Sequence, residues 1–159
     1  MNITVLCVGK IKEAYLRDGI AEYAKRLSRY ARLTVTELAD EKTPENASEA
    51  ENLKIINTEG DRILAKIKDS DYVCALAING KMYSSEEFSD YLSKVQITSK
   101  GNLVFVIGGS LGLSEAVLAR ADDKISFSRM TFPHQLMRVI LLEQTYRCFN
   151  INHNGKYHK

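Results

Sequence analysis

Reactive side chains gather in the last third of this chain. His134 and Arg138 stand four apart just after Pro133, on one face of the helix that the proline starts. A neutral imidazole takes up a proton near neutral pH, while a guanidinium stays charged and steadies an anion. The final residues, His153-Asn154-Gly155-Lys156-Tyr157-His158-Lys159, are polar, basic and aromatic. Such a tail suits a nucleic-acid strand: rings stack on bases, cations meet phosphates, and an imidazole or phenol moves a proton. Each feature also has a plainer explanation. A histidine at a helix start often only caps it, and chain ends often fray. Glu143 and Arg147, again four apart, are most simply an intrahelical ion pair.

Two loops must position these groups. The apolar run Leu103–Ile107 reads as a strand and leads into Gly108-Gly109-Ser110-Leu111-Gly112. Such a bend lets a ligand approach the backbone closely and presents amide groups. It is neither G-x-G-x-x-G nor a P-loop, because no Gly-Lys-Ser/Thr follows. By itself it could be a plain turn. Ile125–Ser128 is the next strand, and the loop Ser128–Phe132 joins it to Pro133. Ligands of open α/β sheets sit at the carboxyl ends of strands, so these two loops mark the expected cleft.

The remaining elements are read from periodicity and capping. Asn2–Val8 is a strand; Ile11, Tyr15, Leu16, Ile20, Tyr23, Leu27 and Tyr30 then recur at helical spacing. Leu33–Leu38 is a second strand. Thr43-Pro44 is expected to open a helix whose buried face carries Leu53, Ile56, Ile63, Leu64 and Ile67. Tyr72–Ile78 is a near-continuous apolar strand that ends in a turn at Asn79-Gly80. Ser84 and Glu87 form a capping box for a helix reaching about Val95, and Ser114-Glu115 opens a short one to Ala121. The last helix runs from Pro133 to about Phe149. Five strands alternating with five helices predict a single α/β domain over residues 1–159, a mostly parallel sheet with helices on both faces.

The last helix is apolar on more than one side: Leu136, Val139, Ile140, Leu142, Tyr146 and Phe149 on one, Met137, Leu141 and Cys148 on another. A terminal helix of a small domain normally exposes one face. A homodimer interface would bury the excess.

Bulk numbers exclude several classes. The 159 residues carry 45% hydrophobic side chains and a net charge of +2, ordinary values for a globular domain. No apolar run suits a membrane helix, and Met1–Lys12 lacks a signal-peptide layout, so a cytoplasmic protein is expected. Cys7, Cys74 and Cys148 are scattered in apolar contexts, which points to reduced core thiols and no metal site. Charge is uneven: Lys10 to Arg32 holds seven Lys/Arg against three acids, a local +4. That segment suits an anionic partner, or is simply a solvated helix face.

These pieces, in this order, resemble one family. The glycine bend, the run S-F-S-R-M-T-F-P-H-Q-L-M-R from Ser126 to Arg138, E-Q-T-Y-R at Glu143 to Arg147, and the terminal Tyr157-His158-Lys159 are similar to bacterial large-subunit rRNA methyltransferases H. V-G-K-I-K-E at Val8 to Glu13 and D-E-K-T-P-E at Asp40 to Glu45 extend the resemblance over the whole chain. The resemblance implies a SPOUT-class α/β fold with a C-terminal trefoil knot and a homodimer. It implies S-adenosylmethionine as cofactor and methylation of N3 of a pseudouridine in 23S rRNA on the assembled ribosome, with no metal. Cofactor contacts would map to Leu76, Gly108, Phe127, Ser128, Arg129, Met130, Thr131 and Phe132. His158, Tyr157, Arg138 and His134 are the candidates for handling the imide proton and its charge, without a choice of base among them. Lys159 stands where some relatives carry arginine.

Two other readings stay open. A non-catalytic ribosome-binding α/β module would use the basic Lys10–Arg32 segment and bind no cofactor. Another nucleotide-using enzyme would need a fingerprint motif that the chain lacks.

Overall fold

The computed structural model describes residues 1–159. In chain order it contains β1 (Asn2–Val8), α1 (Ala14–Leu27), β2 (Arg32–Leu38), α2 (Glu49–Leu64), β3 (Tyr72–Met82), α3 (Ser85–Thr98), β4 (Asn102–Ile107), α4 (Glu115–Arg120), β5 (Asp123–Ser126) and α5 (His134–Asn152). The strands form one sheet in the order β2-β1-β4-β3-β5, and every pairing is parallel. Parallel neighbours need crossovers, which the helices supply.

Alternation along the strands sorts the core into two halves. Ile3, Val5 and Cys7 of β1 join Leu103, Phe105 and Ile107 of β4 on one face, packed with Leu27 of α1, Phe88 and Leu92 of α3 and Leu141 of α5. Leu6 and Val8 join Val104 and Val106 on the other face, with Ile63 of α2 and Val117 of α4. Helices thus cover both faces, as the apolar strands require. All three cysteines are free and buried. Burial pushes the Cys7 thiol up to about 11 and those of Cys74 and Cys148 up to about 12. No helix is long and apolar enough to cross a membrane.

Three local expectations need correction. Thr43-Pro44 does not open a helix. The helix starts at Glu49, behind a capping box in which Ser48 accepts from Glu51 N at 3.2 Å. Asp40–Glu45 stays a loop, tied down by Arg62, which donates to the Ala39 carbonyl at 2.8 Å and pairs with Glu41. Leu53, expected on the buried face of this helix, lies on its outer side, 56% exposed. Asn79-Gly80 is not a turn either; β3 continues to Met82 with a register shift against β5 between Leu76 and Lys81. Gly80 is there because β5 passes so close that a Cβ would stand 2.5 Å from the Ile125 carbonyl carbon. The fifth strand ends at Ser126, two residues early, which frees Phe127 and Ser128 for the following loop.

Candidate functional site

A cavity of about 770 Å³ opens at the carboxyl ends of β3, β4 and β5. Its wall comprises Leu76–Ile78, the run Ile107–Leu113, Leu118, the run Ile125–Ser128, and Met130–His134 with Met137. Three strand ends therefore build it, as the fold rule for open sheets anticipates. The glycine segment is a closed bend: Gly112 N donates to the Gly109 carbonyl at 3.1 Å. A Cβ at Gly108 would stand 2.7 Å from the Gly112 carbonyl oxygen, so the bend folds this tightly only with glycine there. The loop after β5 is held by its own serines. Ser126 Oγ donates to the Ser128 carbonyl at 2.9 Å, and Ser128 Oγ accepts from Met130 N at 2.9 Å. Of the eight residues expected to hold the cofactor, Leu76, Gly108, Phe127, Ser128, Met130, Thr131 and Phe132 line this one cavity. Arg129 is not among the lining residues.

The four residues expected to handle the proton fall in three places. His134 lines the cavity. Burial, and then the neighbouring Arg138 charge, lower its pKa and favour the neutral imidazole. Arg138, one turn later, is 1% exposed and points away from the cavity into the protein. Its Nη2 donates to the Val8 and Gly9 carbonyls at 2.8 and 2.9 Å, and its Nη1 meets Glu37 Oε2 at 3.1 Å. Glu37 Oε2 also accepts from Ile11 N at 2.7 Å. Arg138 thus clamps the ends of β1 and β2 beneath α5.

Tyr157 and His158 fold back against the middle of α5, at the level of Glu143 and Arg147, roughly 14–20 Å along the axis from His134 at 1.5 Å per residue. The tail is fastened there and does not fray. Gly155 N donates to the Asn150 carbonyl at 2.7 Å and Tyr157 N to Asn150 Oδ1 at 2.9 Å. The Tyr157 hydroxyl donates to Glu143 Oε1 at 2.9 Å. Burial, then hydrogen bonds to Tyr23 and Glu143, raise its pKa and keep the phenol protonated. Arg147 Nη1 lies 3.2 Å from His158 Nδ1, and Glu86 Oε1 lies 2.8 Å from His158 Nε2. A guanidinium only donates, so Nδ1 accepts and Nε2 carries the hydrogen given to Glu86. Arg147 is the residue that sequence reasoning undervalued. It pairs with Glu143 as expected, and it also holds both His158 and the Tyr157 ring. Its spacing of four from Glu143 was the available signal.

The basic segment is less uniform than its charge suggested. Arg26 pairs with Glu22 at 2.7 Å and lies 5.9 Å from the Tyr157 ring centroid, so it belongs to the tail cluster. Lys12, Arg17, Lys25, Arg29 and Arg32 are exposed.

The chain belongs to the SPOUT methyltransferases: the model of the family described as "Predicted SPOUT methyltransferase" matches residues 1–158. Within that class it is similar in sequence, over its full length, to proteins of one name. The ribosomal RNA large subunit methyltransferase H of Clostridium novyi is 59% identical over 159 residues, covering 100% of both chains. Proteins of the same name from Streptococcus uberis and Carboxydothermus hydrogenoformans are 57% and 59% identical, again with 100% coverage of both chains. Among solved structures, a protein described as a methylase family member from Neisseria gonorrhoeae superposes with a TM-score of 0.52 at 12% identity, covering 91% of this chain and 81% of its own. A Legionella pneumophila methyltransferase solved with bound SAM gives 0.50 at 10% identity, covering 90% of this chain and 64% of its own. At these identities the two structures speak to the fold.

Proposed function

We propose that this protein transfers a methyl group from S-adenosylmethionine to N3 of a pseudouridine in large-subunit rRNA, acting on the assembled ribosome. The observation that carries the reading is the convergence of β3, the glycine bend and the Phe127–Phe132 loop on one cavity. The names of its full-length relatives support the RNA substrate. The residues present fit the cofactor. The volume is in the range of small-molecule sites, the walls are largely apolar, and the tight bend at Gly108 brings backbone groups to the cavity edge.

Bound there, S-adenosylmethionine supplies a methyl carbon already activated by a sulfonium sulfur. The chain does the rest. Leu76, Phe127 and Phe132 would hold the cofactor's apolar parts, and main-chain groups of the glycine bend and the Ser128–Thr131 segment would meet its polar groups. The apolar walls would exclude water and hold the cofactor in line with the acceptor base. The imide nitrogen must give up its proton before its lone pair attacks. His134, at the cavity wall with its pKa lowered by burial, would take it. Arg138 acts through His134 and through the ends of β1 and β2, as a positioning residue. Tyr157 and His158 would complete the site of a second copy in a homodimer. Leu136, Val139 and Ile140, only half-buried along α5, support such a contact. The C-terminal knot and a cytoplasmic location, where ribosomes are, belong to the same proposal.

The test is transfer of label from S-adenosylmethionine to ribosomes purified from a strain lacking this gene, with the product nucleoside identified by mass spectrometry. Label on a large-subunit pseudouridine is the expected result. Cofactor binding without incorporation would overturn the substrate assignment. Ribosome binding without cofactor binding would instead favour a non-catalytic module.

A further inference from the structure

A second cavity, of about 390 Å³, opens beside the first, between the start of α3, the loop after β5 and the middle of α5. The two share Ile125, Ser126, Phe127 and Phe132 as a common wall. Aromatic rings line the smaller one: Phe88 and Phe127 stand edge to face with centroids 5.8 Å apart, and Tyr83 lies 6.2 Å from Phe88. Phe88 is buried beneath, and the partly open ring faces are those of Tyr83, Phe127 and Phe132, which accept a nucleobase of any sequence.

The polar group that would discriminate is Gln144, which stands in this second cavity. Its carboxamide is fixed at two corners. Glu143 Oε2 only accepts, so the amide nitrogen faces it, at 2.7 Å. The amide oxygen takes the Ser85 hydroxyl hydrogen at 2.8 Å. A carboxamide has two N–H groups and two oxygen lone pairs. One of each is therefore left over, which complements a ring edge carrying an N–H beside a carbonyl.

Glu143 also connects this amide to the tail. Its other oxygen accepts the Tyr157 hydroxyl, and Arg147 bridges the same carboxylate to His158. A single hydrogen-bonded chain thus runs from Ser85 through Gln144 and Glu143 to the terminal residues.

We infer that the second cavity receives the target base, extruded from its RNA strand, and that Gln144 selects pseudouridine over uridine. The inference rests on the methyltransferase reading above. With N3 as methyl acceptor, the edge left for Gln144 is N1–H with the C2 carbonyl. Pseudouridine has that N–H because its ribose is attached at C5. In uridine N1 carries the ribose, and Gln144 would face no donor. A site built on a hydrogen bond rejects an analogue lacking the group far better than an apolar pocket does.

The experiment uses full-length protein and two ribosome preparations, one with pseudouridine at the target position and one with uridine from a strain lacking the responsible pseudouridine synthase. Gln144→Leu keeps the bulk and removes the polar edge. It should lower kcat/KM on pseudouridine ribosomes roughly tenfold to hundredfold, the range of one bidentate base contact, and narrow the preference over uridine. S-adenosylmethionine affinity should not change, which also reports an intact fold. Ser85→Ala, which frees only the amide oxygen, should move both quantities the same way by less. An active wild type with variants that keep its full preference would overturn this inference alone. Loss of cofactor affinity in both variants would overturn it too, placing these residues in the first cavity. A wild type that binds cofactor and methylates neither ribosome would overturn the substrate reading and this inference with it.

Discussion

The Arg147 guanidinium lies over the Tyr157 ring, 4.7 Å from its centroid, and both side chains converge on Glu143. A cation stacked on a ring that is itself hydrogen-bonded fixes the last three residues against α5. Removing Tyr157–Lys159 deletes two cation–π contacts, from Arg147 and Arg26, and a few half-exposed hydrogen bonds, a loss of about 2–3 kcal/mol. The truncated protein should therefore still fold and bind cofactor, while methyl transfer disappears. Calorimetry with S-adenosylmethionine alongside a transfer assay checks this, and retained transfer would remove the tail from the mechanism.

Arg138 should behave as a stability residue. Arg138→Met strands the buried Val8 and Gly9 carbonyls and leaves the part-exposed Glu37 carboxylate without its partner; two buried acceptors without donors cost about 2–5 kcal/mol. Arg138→Lys should recover little, since one ammonium cannot span Val8, Gly9 and Glu37 together. Urea midpoints of the three proteins test the order.

Gly108→Ala places a methyl group against the Gly112 carbonyl, where only backbone could give way. The bend should open and S-adenosylmethionine affinity should fall at least tenfold, about 1.4 kcal/mol. A titration showing wild-type affinity would detach the bend from the cofactor site.

Acid should weaken the fold through His134. Burial and Arg138 hold its folded pKa below the usual 6.5, so the unfolded chain binds the extra proton. Its contribution is fully present above about pH 6.5 and is lost as pH falls toward the lowered folded value. Glu59 runs the other way: burial raises its pKa, so the native state keeps a proton that the unfolded chain has already shed, and stability declines as pH rises from about 4.5. Denaturation midpoints of wild type and His134→Gln, followed from pH 7.5 to 5, should diverge as the wild type loses stability. Parallel curves would contradict the assignment to His134.

Docking to the ribosome should depend on the exposed cations of the first helix region. Reversing Lys25 and Arg29 to glutamate should weaken ribosome association and flatten its dependence on salt, since fewer phosphates are neutralised. Arg26 is the wrong residue for this test, because it is engaged with Glu22 and the tail rings. Unchanged binding at low and high salt would exclude the segment.

The strand pattern was readable because each apolar run must alternate between two covered faces, and the order of elements followed from it. Ser84 with Glu87 was equally readable, a local signal with a local consequence. Thr43-Pro44 misled because a better capping pair, Ser48 with Glu51, lies five residues on and wins the helix start. Asn79-Gly80 misled for a different reason: the glycine answers a neighbour strand, and nothing near it in sequence reports that neighbour. Arg138 was legible as a cation on an apolar helix, but its direction was set by carbonyls about 130 residues away. The path of the tail likewise depends on Asn150 and Glu143, whose partners are decided only once the chain has folded back on α5.

The main cavity draws its whole wall from Leu76 onward; β1, α1, β2 and α2 contribute none of it. Outside Val8, Gly9, Glu37 and Glu59, which hold Arg138 or back the glycine bend, the first half of the chain can therefore drift, within what the sheet will accept, without altering what the protein holds. What drifts is the outer surface met by a large partner. Chimeras that exchange the first seventy-odd residues between relatives would separate the two inheritances, one of cargo and one of address.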